Sequence, residues 1–201
     1  MLTTQTRLEK INRMTFSREQ AWEIVCQHVQ SESLRRHMLA VEAAMRWYAA
    51  QSGADQDAWG LPGLLHDYDW EIHPTLDEHP QKGQALLRAA GVPEDVLRCI
   101  MSHAHHSNLA RETPREQALF ACDELTGLIT ACALVRPSRA LHDLTPKSVR
   151  GKWKDKAFAA GVNRADIEQG AREMNVELWL HVGNVISALQ PVAAELGLAG
   201  V

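Results

Sequence analysis

The sequence is short of several things. Among its 201 residues there are only three phenylalanines and two tyrosines. There are four cysteines (Cys26, Cys99, Cys122 and Cys132), and no two form a Cys-x-x-Cys pair. Each lies in an apolar-periodic segment, which reads as a small buried hydrophobe in a reducing compartment. A disulfide framework or a thiolate zinc site is disfavoured. Excess positive charge is also missing, with 21 basic against 25 acidic residues and a net charge of −4. Proteins that neutralise nucleic-acid phosphates usually carry a basic excess, so nucleic acid is disfavoured as a partner. The longest apolar run, Leu128 to Val135, is broken by Thr130 and is far too short to cross a bilayer. Met1 to Phe16 shows scattered charge and no apolar h-region, so no signal peptide is expected. These readings point to the cytoplasm, with no membrane partner.

Alternation with period two is absent, and so are internal repeats and low-complexity tracts. What remains is helical periodicity. Ser17-Arg18-Glu19-Gln20 has the form of a capping box and opens a helix to about Gln30. A second helix follows Ser33, with Leu34, Met38, Val41, Met45 and Tyr48 on one face, and ends at Gln51-Ser52-Gly53. A third runs through Leu64 and Leu65 to His66, with Pro62 either kinking it or starting its last turns. Asp67 to Pro80 reads as loop, Gln81 to Ala90 as a short helix, and Pro93 opens the next. Thr113-Pro114-Arg115-Glu116 is a second capping box with proline at the first helical position, opening a helix to about Val135. Thr145-Pro146 and Asn163 begin two more, and a last helix covers about 176–196. The prediction is an all-α protein: a single globular helical domain comprising an N-terminal arm (1–16), a helical core (17–135) and a C-terminal helical extension packed on it (136–201). At this length such a core needs no covalent staples.

Against these shortages stand ten histidines and six tryptophans, with six of the histidines between His66 and His106. His37 shares the apolar face of its helix with Leu34 and Val41. A lone histidine there is most often a core residue bonded to a carbonyl. His66-Asp67 closes a buried helix, and Asp123 lies in Ala118-Leu119-Phe120-Ala121-Cys122-Asp123-Glu124-Leu125, whose other inward positions are apolar. A buried carboxylate is costly unless paired or bound to a metal. For Asp123 the plain alternative is a salt bridge to an arginine. Taken together, one histidine, a His-Asp pair and a distant aspartate make a mixed nitrogen and oxygen ligand set. It suits Mn, Fe, Ni, Zn or Mg better than a thiolate site does.

The order His37, His66-Asp67, Asp123, with Gly63-Leu64-Leu65-His66-Asp67 at its centre, resembles the HD-domain metal-dependent phosphohydrolase superfamily over roughly residues 30–135. His79-Pro80 with Gly83 is similar to the H-P-x-x-G segment of many such domains. His103 resembles the histidine that follows. The resemblance implies His37, His66, Asp67 and Asp123 around one divalent ion, and Asp67 bridging to a second held by His79 and His103. It implies hydrolysis of a small phosphoester such as a nucleotide by a metal-activated water, with Asp67 as the catalytic residue. Asp69 and Trp70 stand where the commonest family motif has glycine and, often, lysine. The signatures of the cyclic-dinucleotide-cleaving branch are absent. Two other functions fit the same ligands: a mixed-valent di-iron oxygenase, and a non-catalytic nucleotide or phosphate sensor.

The remaining features have plain readings. His105 and His106 read as a solvated helix end, with His106 the likelier of the two to take part in the site. His73 and Trp70 are candidates for the mouth of a cleft, while His28, His142 and His181 read as surface or packing residues. Trp47, Trp59 and Trp179 read as core, and Trp153 as stacking on a neighbour. The run Arg136, Arg139, Lys147, Arg150, Lys152, Lys154 and Lys156 reads as a solvated face. Its functional alternative is that Lys147 or Lys152 binds a substrate phosphate.

Overall fold

A computed structural model describes residues 16–200. The expected N-terminal arm, apart from Phe16, lies outside the described residues. Among those residues the fold is all-α, in one globular domain. Its helices are α1 (Arg18–His28), α2 (Glu32–Ser52), α3 (Gln56–Leu65), α4 (Gln84–Ala89), α5 (Glu94–His103), α6 (Pro114–Leu134), α7 (Pro146–Trp153), α8 (Arg164–Glu173) and α9 (Leu178–Leu189). Short 3-10 turns cover His105–Ser107 and Gln190–Val192. The only extended pairing among the described residues is one isolated antiparallel bridge between Ala140 and Ala199.

Local chemistry sets most helix starts. Ser17 and Gln20 form a reciprocal capping box at α1, and Thr113 and Glu116 form another at α6. Thr145 and Asn163 cap α7 and α8. Gly53, at φ 70°, ends α2 in the left-handed conformation that glycine adopts without steric cost. The cap of α2 is Ser31 rather than Ser33, because the Ser31 hydroxyl reaches the Leu34 N–H. The last helix was expected to reach residue 196 but stops at Leu189. Pro191 lacks the N–H that would continue the ladder, and the chain tightens into a 3-10 turn. Pro62 is tolerated inside α3 for a specific reason. It cannot donate to the Ala58 carbonyl four residues back, and the Arg115 guanidinium donates there instead at 3.2 Å.

α2 is the central helix, and it faces apolar clusters on several sides. Met38 meets Leu64 and Leu65 of α3 and Val96, Leu97 and Ile100 of α5. Ala40, Ala44 and Tyr48 meet Leu125, Leu128 and Ile129 of α6 together with Val149, Ile167, Val182 and Val185 from α7–α9. Residues 136–200 therefore share a core with the earlier helices. α6 has 21 residues, and by length and composition alone it could span a bilayer. In the fold it is a core helix, packed against α2, α5 and α8. Cys99, Cys122 and Cys132 are buried thiols and Cys26 is half-buried, all unpaired.

Candidate metal centre

α2, α3 and α6 meet where His37, His66 and Asp123 project. His37 Nε2 lies 3.0 Å from Asp123 Oδ1 and 3.2 Å from His66 Nε2. His66 Nε2 is 3.4 Å from the same Asp123 oxygen. Asp67 Oδ2 stands beside them, 3.5 Å from His66 Nε2 and 3.8 Å from His37 Nε2. Its other oxygen, Oδ1, faces away, 3.3 Å from His79 Nε2 and 3.6 Å from His103 Nε2. Those two histidine nitrogens are 3.3 Å apart. The structure thus brings His37, His66, Asp67, His79, His103 and Asp123 together as two adjoining groups. Each group can hold a metal ion, and Asp67 touches both. Asp123 faces histidines and not an arginine.

The outer nitrogen of every ring is occupied. His66 Nδ1 donates to the Gly63 carbonyl at 2.8 Å, and His103 Nδ1 donates to the Ile100 carbonyl. His79 Nδ1 donates to Asp69 Oδ1 at 2.7 Å. The Thr126 hydroxyl gives its proton to the Asp123 carbonyl at 2.9 Å, which leaves its lone pair to accept from His37 Nδ1 at 3.3 Å. Partners of this kind fix the tautomer and aim the other nitrogen. With the rings neutral, four Nε2 lone pairs and the two aspartates therefore converge with no donor between them. Acceptors at such distances repel unless a cation lies among them, and neutral imidazole with carboxylate is a donor set for a divalent metal.

The same carboxylates also draw protons onto these rings, so a proton and a metal ion compete for the Nε2 lone pairs. Burial pulls the His66 imidazole down, but the Asp67 and Asp123 carboxylates outweigh it and raise it to about 9. His79 is raised to about 9 against its own burial by Asp67 and Asp69. Burial works to raise Asp67, yet His66, His103 and His79 hold it well below the carboxylate range.

One side of the cluster is open. The side chains of His37, Asp67 and Asp123 keep 23%, 19% and 21% exposure, whereas His66 has none. They face a cavity of about 560 Å³. Trp70 lines it, with its ring edge-on to His79 at 5.0 Å, and so do Leu76 and Phe120. The 3-10 turn brings His105 and His106 to the wall, and His106 Nε2 donates to the His79 carbonyl at 2.7 Å. His73 does not line the cavity. Neither do Lys147 and Lys152. Both are exposed on α7, whose Val149 is the residue turned into the core, and the Lys152 ammonium sits 5.3 Å over the Phe158 ring. The expected phosphate-binding lysines are therefore not brought to the cleft.

Three partners escaped the sequence reading. Asp69 orients His79, Thr126 orients His37, and Glu124 lines the cavity beside Asp123. Burial and the Asp123 charge push the Glu124 carboxyl up to about 7. The signals available were the Asp-for-Gly departure at Asp69 and a second carboxylate in an apolar helix at Glu124.

No family model, curated protein or solved structure matches this chain. The described residues show a helical domain with two His/Asp groups suited to metal.

Proposed function

We propose that the chain is a metal-dependent phosphohydrolase of the HD-domain type, acting on a small phosphoester. The observation that carries this reading is Asp67, which turns one oxygen to each histidine group. A shared carboxylate between two nitrogen-rich groups suits one or two ions from the set Mn, Fe, Ni, Zn or Mg. Bound metal would supply Lewis acidity, lowering the pKa of water and offsetting charge on the phosphoryl oxygens. The chain's own residues do the positioning. His66, His79 and His103 are buried with fixed rings, so they form a rigid floor. His37, Asp67 and Asp123 form the open edge where a phosphoester can approach. Asp67 ties the two groups together, and Trp70 and Phe120 line the cavity. The unpaired thiols are in keeping with a cytoplasmic setting.

The test is to purify the protein without chelators, count metals per chain and assay a panel of phosphoesters. Replacing His66 or Asp67 with alanine should lower activity by more than the roughly 10- to 100-fold typical of removing a supporting partner. Full activity surviving in both variants would overturn the reading.

A further inference from the structure

The cavity is lopsided in charge. Apart from the proposed ligands and the histidines of the 3-10 turn, its ionisable lining is Glu124 and Asp166. No lysine or arginine lines it among the described residues. Two arginines near these elements are committed elsewhere. Arg111 clamps Glu173 at 2.6 and 2.8 Å. Arg164 donates to five backbone carbonyls, those of Trp153, Asp155, Phe158, Ala159 and Val162.

The two carboxylates are built as a pair. Asn163, the cap of α8, gives its backbone N–H to Glu124 Oε2 at 3.1 Å and its side-chain amide to Asp166 Oδ2 at 2.8 Å. One residue therefore couples α6 to α8 and fixes both acids at the cavity wall. Glu124 follows the proposed ligand Asp123 directly in α6, so the acidic pair begins beside the metal centre.

A phosphate monoester would bring its dianion to the two His/Asp groups. A second or third phosphate, as in a nucleoside polyphosphate, would meet two acidic side chains and no lysine or arginine. Like charges juxtaposed in a partly desolvated site select against such a ligand. A cation at the same place would gain charge-assisted hydrogen bonds. We propose that the site takes a short phosphate monoester whose far end carries an ammonium group, held between Glu124 and Asp166. The reaction in this proposal rests on the phosphohydrolase reading; the binding preference does not. A volume of about 560 Å³, lined by Trp70 and Phe120, has room for such an ester.

Non-hydrolysable phosphonates separate binding from turnover. The manganese-loaded whole chain is titrated with 3-aminopropylphosphonate and with butylphosphonate, its isostere lacking the ammonium group. The amino compound should bind at least about tenfold tighter, the scale of hydrogen bonds to charged groups. Asp166→Asn and Glu124→Gln should each cut that ratio to about threefold or less, the scale of exposed pairs. Circular dichroism checks that the variants fold, and either folded variant suffices. Equal affinities in the parent protein, or an unchanged ratio in a folded variant, would overturn the proposal. Aminoethyl phosphate and ethyl phosphate are then assayed for hydrolysis. Hydrolysis of both with equal kcat/KM would overturn the ammonium preference and leave the hydrolase reading standing. A binding preference without turnover of any phosphoester would do the reverse.

Discussion

The Asp69 carboxylate accepts the Nδ1 proton of His79 at 2.7 Å, with both side chains buried. This contact needs Gly83. A Cβ there would lie 2.4 Å from Asp69 Oδ2, so only glycine lets the carboxylate in. Asp69 Oδ2 itself has no partner among the described residues, a cost the site carries to keep a carboxylate oxygen on His79 Nδ1. Asp69→Asn keeps the shape and removes the charge. It should weaken metal binding at the His79–His103–Asp67 group by about 10- to 100-fold while sparing the other group. Metal titration by calorimetry reads this as a shift in the weaker step. Superimposable isotherms for parent and variant would contradict the role.

Gly170 is where α8 touches α6. An added Cβ would sit 2.5 Å from Ala121 Cα and 2.7 Å from Ala121 Cβ. In an exposed helix, glycine to alanine stabilises by about 1 kcal/mol. Here Gly170→Ala should instead destabilise by about 1–3 kcal/mol, because backbone must move. Denaturant midpoints measure it, and an increased midpoint would show that the two helices separate without cost.

His181 is buried, with Nε2 donating to the Ala121 carbonyl at 2.9 Å and Nδ1 accepting from the Tyr48 hydroxyl at 2.6 Å. Burial lowers its pKa, only partly countered by the Ala121 carbonyl. The unfolded chain takes up a proton near pH 6.5, where the folded protein does not. The contribution of His181 is therefore present above about pH 6.5 and is lost as the pH falls from there toward the folded value. Melting temperatures of the parent and His181→Gln should converge between pH 7.5 and 5. A constant difference across that range would rule the linkage out.

Where structure follows from neighbours in the chain, the sequence was enough. The boxes at Ser17 and Thr113, and the caps at Thr145 and Asn163, rest on contacts within a few residues. The end of α9 at Pro191 was equally local, but it was masked by a strong apolar pattern running past it. The six proposed ligands are spread over α2, the end of α3 and the connection after it, α5 and α6, and only a motif resemblance could group them, because helical periodicity says nothing about which faces meet. Asp69 depends on space made by Gly83. The Glu124–Asp166 pair depends on Asn163, which lies 39 residues from Glu124. Such relationships exist only after folding. Lys147 and Lys152 lie on the exposed face that a charge run usually forms, and the run itself carries no information about whether such a face turns toward a cleft.

His37 and Asp123 are 86 residues apart, on α2 and α6, and His66 joins them from the end of α3. An ion held by all three would act as a tether between helices that lie far apart in the chain. It would bind the folded form alone, because the unfolded chain cannot assemble the three donors. Saturating such a site at 100 times its dissociation constant adds about 2.7 kcal/mol of stability. Melting temperature is thus a ligand assay in itself. It can rank Mn, Fe, Ni, Zn and Mg before any substrate is known.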